Sequence, residues 1–354
     1  MLYILLLSLS LFLFIINKFF LNNFNKILLI ENLIDKNYKK PQAFHTNPTP
    51  RIGGLFFIIN FSFLIIIYSI YNEISSIVIL FSILPFFLIG FLDDLKILEN
   101  PKYRIFLLIF FIFLSVFFLE IKIENTGFYY INNWLAEYVV FKYFFLILCF
   151  LTIINGSNFI DGFNGLLIIQ SIIILSILVL INSSININNQ LIIVLICLGS
   201  ILIFNFPKSK IFLGDSGAYS IGFLISYYVI QTSNLNLNIS PMFFCILLFY
   251  IFFEVLFSFI RKKIYNLNPI LPDKNHLHMI IFRIINFKFN DKSKSNYFTS
   301  ITINFFYFLI VFPSLFFYDN NFLCKIYFTI CLFIYVIFYV IINNYEKKIF
   351  KFDE

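Results

Sequence analysis

Apolar residues run along this chain in long unbroken blocks, with the polar residues gathered between them. The blocks lie at roughly 2–20, 53–71, 75–92, 105–119, 139–155, 165–182, 190–206, 218–232, 241–260, 299–317 and 322–342. A helix needs about 17–25 apolar residues to cross a bilayer, and these blocks lack the alternation of a half-buried strand. The pattern predicts an all-α, polytopic integral membrane helix bundle with about 10–11 transmembrane helices. The first block lacks the basic start and small-residue cleavage site of a secretory leader, so it is read as an anchor. No linker or repeat of 20–50 residues interrupts the pattern, which makes residues 1–354 a single membrane domain.

Composition agrees: 61% of residues are hydrophobic and 12% are charged. A water-soluble chain with that balance could not cover its surface with polar groups. With eleven spans, the segments between blocks alternate between two faces. One face carries every Lys and Arg except Lys122, Lys142 and Lys325, that is 22 of 25. Basic residues mark the cytoplasmic side, so the N-terminus is expected outside, the C-terminus inside, and the protein in a bacterial inner membrane. The net charge of +7 then needs no nucleic acid to explain it. The five cysteines all fall in apolar blocks without metal-ligand spacing and read as small apolar residues.

The polar chemistry collects on the basic face, in stretches 44–55, 89–96, 155–166, 212–222 and 272–283. Nine of the eleven glycines lie in or beside them, including Gly53, Gly54, Gly162 and Gly214. Glycine lets backbone N–H groups come close to a phosphate. Asp at a membrane helix centre costs about 2.5–3.5 kcal/mol, which places Asp93 and Asp94 of "GFLDDLK" at the boundary. Asp161 and Asp215 follow other apolar blocks at the same depth. Carboxylates gathered on one face call for a cation between them, and oxygen ligands suit Mg²⁺ or Mn²⁺. Arg51, His276, His278 and Arg283 supply positive or hydrogen-bonding groups on the same face. "RKK" at 261–263 reads as a stop signal, and no third His or Cys accompanies the histidine pair to make a zinc site. Acids that hold a metal, with bases that hold phosphates, describe phosphoryl transfer. Glu254 lies inside a block, about 10 Å from its basic end; a functional acid and an interhelical hydrogen-bond partner are both open readings. A transporter would place ionisable groups near the bilayer midplane, whereas these acids lie at one boundary.

Five motifs, "HTNPTPRIGGL", "GFLDDLK", "NGSNFIDGFNGL", "FLGDSGAYSIGF" and "PDKNHLH", occur in one order between Phe44 and Arg283. In these the chain resembles the polyprenyl-phosphate N-acetylhexosamine-1-phosphate transferases. The resemblance implies transfer of a sugar-1-phosphate from a UDP-N-acetylhexosamine to polyprenyl phosphate, with UMP released on the cytoplasmic face. It implies Asp215 and Asn158 as Mg²⁺ ligands and Asp93 as the base, with Asp94 beside it. It implies Phe212 as the ring on uracil, and Asp161, Gly162 and Asn164 in the nucleotide pocket. His276, His278 and Arg283 then cover the diphosphate, and a homodimer is compatible. Three departures stand out: Asn164 where many bacterial members have an acid, Met279 where another His often follows, and Arg51 within "PTPRIGG". The last favours the branch that starts O-antigen, enterobacterial common antigen or teichoic-acid-like glycans over the muramoyl-pentapeptide transferases.

Overall fold

The structure is a computed structural model that describes residues 2–23, 33–35, 48–72, 76–98, 100–268 and 274–351. His45 and residues 44–47, 272 and 273 of the motif stretches lie outside the described residues. Every predicted block is helical. They form α1 (Leu2–Asn23), α2 (Gly53–Asn72), α3 (Ile77–Asp94), α4 (Pro101–Phe118), α6 (Val139–Ile160), α7 (Leu166–Ile181), α8 (Ile185–Asn205) and α9 (Gly214–Leu235). The later blocks form α10 (Pro241–Leu247) with α11 (Phe249–Ile264), α13 (Lys292–Val311) and α14 (Asn321–Lys351). Two helices fall outside the blocks: α5 (Tyr129–Glu137), and α12 (Leu277–Phe289), which takes in the second half of the polar stretch 272–283. A two-residue antiparallel ladder, β1 (Ile34–Asp35) with β2 (Thr49–Pro50), sits ahead of α2.

Among the described residues, seven helices are long and apolar enough to cross a membrane, and eight if α10 and α11, bent by 75°, count as one span. Of the three helices that separate eight from eleven, α1 enters the count only as Ser8–Asn22, and the other two differ for physical reasons. Helix α7 has only 16 residues. Helix α9 carries Asp215 and many Ser and Tyr, yet almost all of it is buried by protein, so it need not be apolar towards lipid. The outer faces of α1, α4 and α14 expose many large hydrophobic residues, as a lipid-facing surface does.

Helix α9 is the axis of the bundle, and glycines set how closely its neighbours approach. Added Cβ atoms at Gly54 of α2 and Gly90 of α3 would collide with the α9 backbone at Ser216–Gly217 and Asp215–Ser216. Gly222 of α9 meets the α6 backbone at Ile154, and Gly156 of α6 meets that of Ile251 in α11. Small residues at such crossings replace the hydrophobic drive that is missing between helices in lipid. At the end opposite the motifs, Lys325 donates to the carbonyl of Gly127 at 2.6 Å, and Asn234 to that of Lys122 at 2.7 Å.

Candidate active site

Helix α3 ends in Asp93 and Asp94, and its last turn lies against the start of α9 because Gly90 leaves room. Asp94 is buried and faces inward. It accepts the backbone N–H groups of Asp215 (3.1 Å) and Ser216 (3.0 Å) and the hydroxyl of Ser216 (2.8 Å). The first N–H groups of a helix have no partner within it, and a carboxylate there also meets the positive end of the helix dipole. Asp94 therefore caps α9 from a neighbouring helix and fixes Asp215 in its first turn. Gly214 has φ +76°, and a Cβ there would stand 2.6 Å from Asp94 Oδ2, so conformation and space both require glycine. The Arg51 guanidinium lies 3.7 Å from Asp94 Oδ1 and offsets its charge.

Asp93 faces the other way, towards Asp215. Arg104 joins the two acids, pairing with Asp93 and lying 3.6 Å from Asp215. Sequence reasoning missed Arg104. It was counted among the basic residues before α4, which was predicted to begin at 105. Asn100 caps α4 by accepting from the N–H of Lys102 at 3.0 Å, and Pro101 opens the first turn. That Asn-Pro start signal would have placed Arg104 one turn inside the helix.

The end of α6 supplies the second part of the site. Asp161, Gly162, Phe163, Asn164, Asn205, Phe212 and Leu213 line one small cavity of about 30 Å³. Four of the residues expected around the nucleotide thus come together there. Burial pushes the Asp161 carboxyl well above the usual range, Asp215 and Asp94 add to the effect, and Arg51 opposes it. Asn164 sends its N–H to Asn296 Oδ1 (2.8 Å) and its side-chain amide to the Pro207 carbonyl (2.9 Å). A carboxylate at this position could not donate to that carbonyl, which accounts for Asn in place of an acid.

The histidines stand beside this cavity. Their rings are stacked in parallel, 5.4 Å apart, with His276 against Phe159 and His278 against Phe163. His278 is fully buried; its Nδ1 meets the Tyr250 hydroxyl at 3.1 Å, and burial lowers its pKa to about 3, so it is neutral.

Several assignments change. Gly53 and Gly54 give their N–H groups to the carbonyls of Phe212 (2.9 Å) and Leu213 (2.8 Å), so they hold α2 against the start of α9 and have no N–H left for a phosphate. Gly162 meets no neighbour and stands open to the cavity. Arg283 pairs with Glu346 of α14 and donates to the Lys274 carbonyl at 2.6 Å, so its guanidinium ties α12 to α14. For a metal, no group of three His, Cys, Asp or Glu occurs among the described residues. Asp215 is partly accessible, and Asn158 has a buried amide nitrogen without a partner, where an exchanged amide would present its oxygen. Oxygen donors of this kind suit a hard divalent cation that takes one or two protein oxygens and completes its shell with water and substrate phosphates.

Residues 76–233, from α3 to the end of α9, match the family model described as glycosyl transferase family 4. Over this core the chain is similar to glycosyl transferase family 4. That core contains Asp93, Asp94, Arg104, Asp161 and Asp215, while the histidine pair lies beyond it. The chain is 31% identical over 206 residues to an undecaprenyl-phosphate alpha-N-acetylglucosaminyl 1-phosphate transferase of Thermotoga maritima, an alignment covering 58% of this chain and 61% of the relative. It is also 26% identical to a phospho-N-acetylmuramoyl-pentapeptide-transferase of Sulfurimonas denitrificans (51% of this chain, 60% of the relative). A protein of that second kind from Dictyoglomus thermophilum is 28% identical (64% and 74%). The chain thus spans about three fifths of the length of the first two of these curated relatives.

Proposed function

We propose that the protein transfers N-acetylhexosamine-1-phosphate from a UDP-sugar to polyprenyl phosphate, releasing UMP and leaving a polyprenyl-diphospho-sugar in the membrane. The observation that carries this reading is the placing of Asp93. It sits on the last turn of an apolar helix, beside Asp215 and Arg104. A membrane helix ends near the headgroups, where a lipid phosphate is tethered. Asp93 takes the proton of the acceptor phosphate, whose second pKa near 6 makes it a far easier target than an alcohol. The deprotonated oxygen attacks the β-phosphorus of the donor, and the phosphoanhydride to UMP breaks. Arg104 and Arg51 hold positive charge where negative charge gathers. Asp215 and Asn158 would hold Mg²⁺ together with donor oxygens, and the ion supplies charge neutralisation. Asp161, Asn164 and Phe212, which line one small cavity, are the residues proposed to receive the uridine end. Arg51 within the charge cluster supports an N-acetylhexosamine donor over a muramoyl-pentapeptide donor, and the product would begin a cell-envelope polysaccharide.

The bond that breaks tests this reading. With purified protein, Mg²⁺, polyprenyl phosphate and a UDP-N-acetylhexosamine labelled with ³²P at the β position, the label is expected in the organic phase and UMP in the water. Added UMP should drive the reaction backward, because one phosphoanhydride replaces another. Release of UDP with the label left in water would refute the mechanism.

The site is proposed to face the cytoplasm, with the N-terminus outside. Two of the three basic residues set apart by the charge count, Lys122 and Lys325, lie at the end opposite the site, which supports this orientation. In a cysteine-free background, cysteines at Ser209 and Asn290 should resist an impermeant thiol reagent in intact cells, and those at Asn125 and Asn188 should react. Labelling at Ser209 from outside would reverse the assignment.

A further inference from the structure

Glu254 of α11 is 1% exposed, and no step above uses it. A buried carboxylate is tolerated only when its oxygens are satisfied. Here three groups from two elements satisfy it. Oε1 accepts from His276 Nδ1 at 2.9 Å and from the Leu277 N–H at 3.2 Å, and Oε2 accepts from the Tyr335 hydroxyl of α14. His276 is the N-cap residue of α12, so Glu254 closes the start of α12 much as Asp94 closes the start of α9. An ionised carboxylate only accepts hydrogen bonds, so the proton between the two side chains belongs to Nδ1. Nε2 is then the nitrogen left for another partner. The two histidines are unequal here: His278 is wholly enclosed, whereas His276 keeps a small exposed surface.

We propose that Glu254 is a positioning residue, held in place by Tyr335, which keeps the Nδ1 proton on His276 and fixes the ring so that Nε2 is presented to the donor's diphosphate. The inference rests on the proposed transfer reaction for the identity of the ligand. The ring orientation rests on the geometry, and the tautomer on an ionised Glu254. His278 serves as the parallel plate that keeps the His276 ring from rotating.

The test uses the full-length protein in lipid nanodiscs with ¹⁵N-labelled histidine. The chain has three histidines, and a His276→Gln spectrum identifies the one that matters. In the wild type the His276 signal is expected as a hydrogen-bonded Nδ1–H. Glu254→Gln presents both an oxygen and an NH₂ group to the ring, so a mixture of tautomers should appear. The same variant should lower kcat by about 10–100-fold, the usual cost of losing such an orienting partner. In a His276→Gln background the further loss should be under about twofold, because the two residues act as a unit. An equal loss in both backgrounds, or an unchanged His276 spectrum in Glu254→Gln, would overturn the proposal. Should Glu254→Gln fail to fold, Tyr335→Phe takes its place, since it removes one hydroxyl only. A wild-type spectrum and rate in that variant would overturn the proposal equally. A wild-type protein inert towards UDP-N-acetylhexosamine would strike the donor assignment instead, while the spectra would still decide the role of Glu254.

Discussion

Asp215→Asn is expected to bring turnover close to zero while leaving the fold intact. The two side chains have the same shape, and the backbone N–H of residue 215 still reaches Asp94. What is lost is one negative charge opposite Arg104 and, on the proposed reading, the charged ligand of Mg²⁺. An ion bound by one carboxylate and substrate phosphates has few other protein oxygens to fall back on. Excess Mg²⁺ should therefore rescue the variant poorly. The measurement is the initial rate over a Mg²⁺ titration, alongside a melting curve to show that α9 is still docked. Retention of more than about a tenth of the wild-type rate, a loss below ~1.4 kcal/mol, would remove Asp215 from the centre of the mechanism.

Asp93→Asn and Asp94→Asn should both be slow, for different reasons that can be separated. Asp93 makes no backbone capping contact and faces Arg104, so its replacement should lower kcat strongly, with little change in melting temperature or UMP affinity. Asp94 accepts three hydrogen bonds at the start of α9. An amide there turns a donor towards one of those N–H or O–H groups, and an unmet buried group costs about 1–3 kcal/mol. Asp94→Asn should therefore melt several degrees lower and lose activity through misplacement of Asp215. Calorimetry and UMP binding on the two purified variants distinguish them. Equal melting temperatures would mean that Asp94 is a chemical participant and the cap is incidental.

Much of this was legible in the chain itself. The apolar blocks locate every long helix, because a bilayer imposes its thickness on sequence more rigidly than water does. The adjacent acids at the end of α3 and the glycine-flanked acids elsewhere betray one site, because charge is so costly at that depth. The duties within the site were harder to read. Asp93 and Asp94 are neighbours in sequence, and only the helical turn between them sends one to Arg104 and the other to the end of α9. Gly53 and Gly54 looked like phosphate contacts, because glycine serves close approach to any partner, and here the partner is another helix. Arg283 looked free to bind phosphate, because its partner Glu346 lies 63 residues away in a helix with no motif. Glu254 stood open between two readings for the same reason: Tyr335 is remote in sequence.

The glycine crossings around α9 bear on how proteins of this design diversify. Where backbones of α2, α3, α6 and α11 touch or nearly touch, a new side chain has nowhere to go, so those positions admit almost no variation. The reacting groups are thus bolted to a chassis that evolution can hardly reshape. Novelty has to enter through the parts fastened by side chains, namely α12 and its ties to Glu254 and Glu346. On the proposed reading, exchanging that arm between relatives is the route by which the site could be refitted to a different substrate.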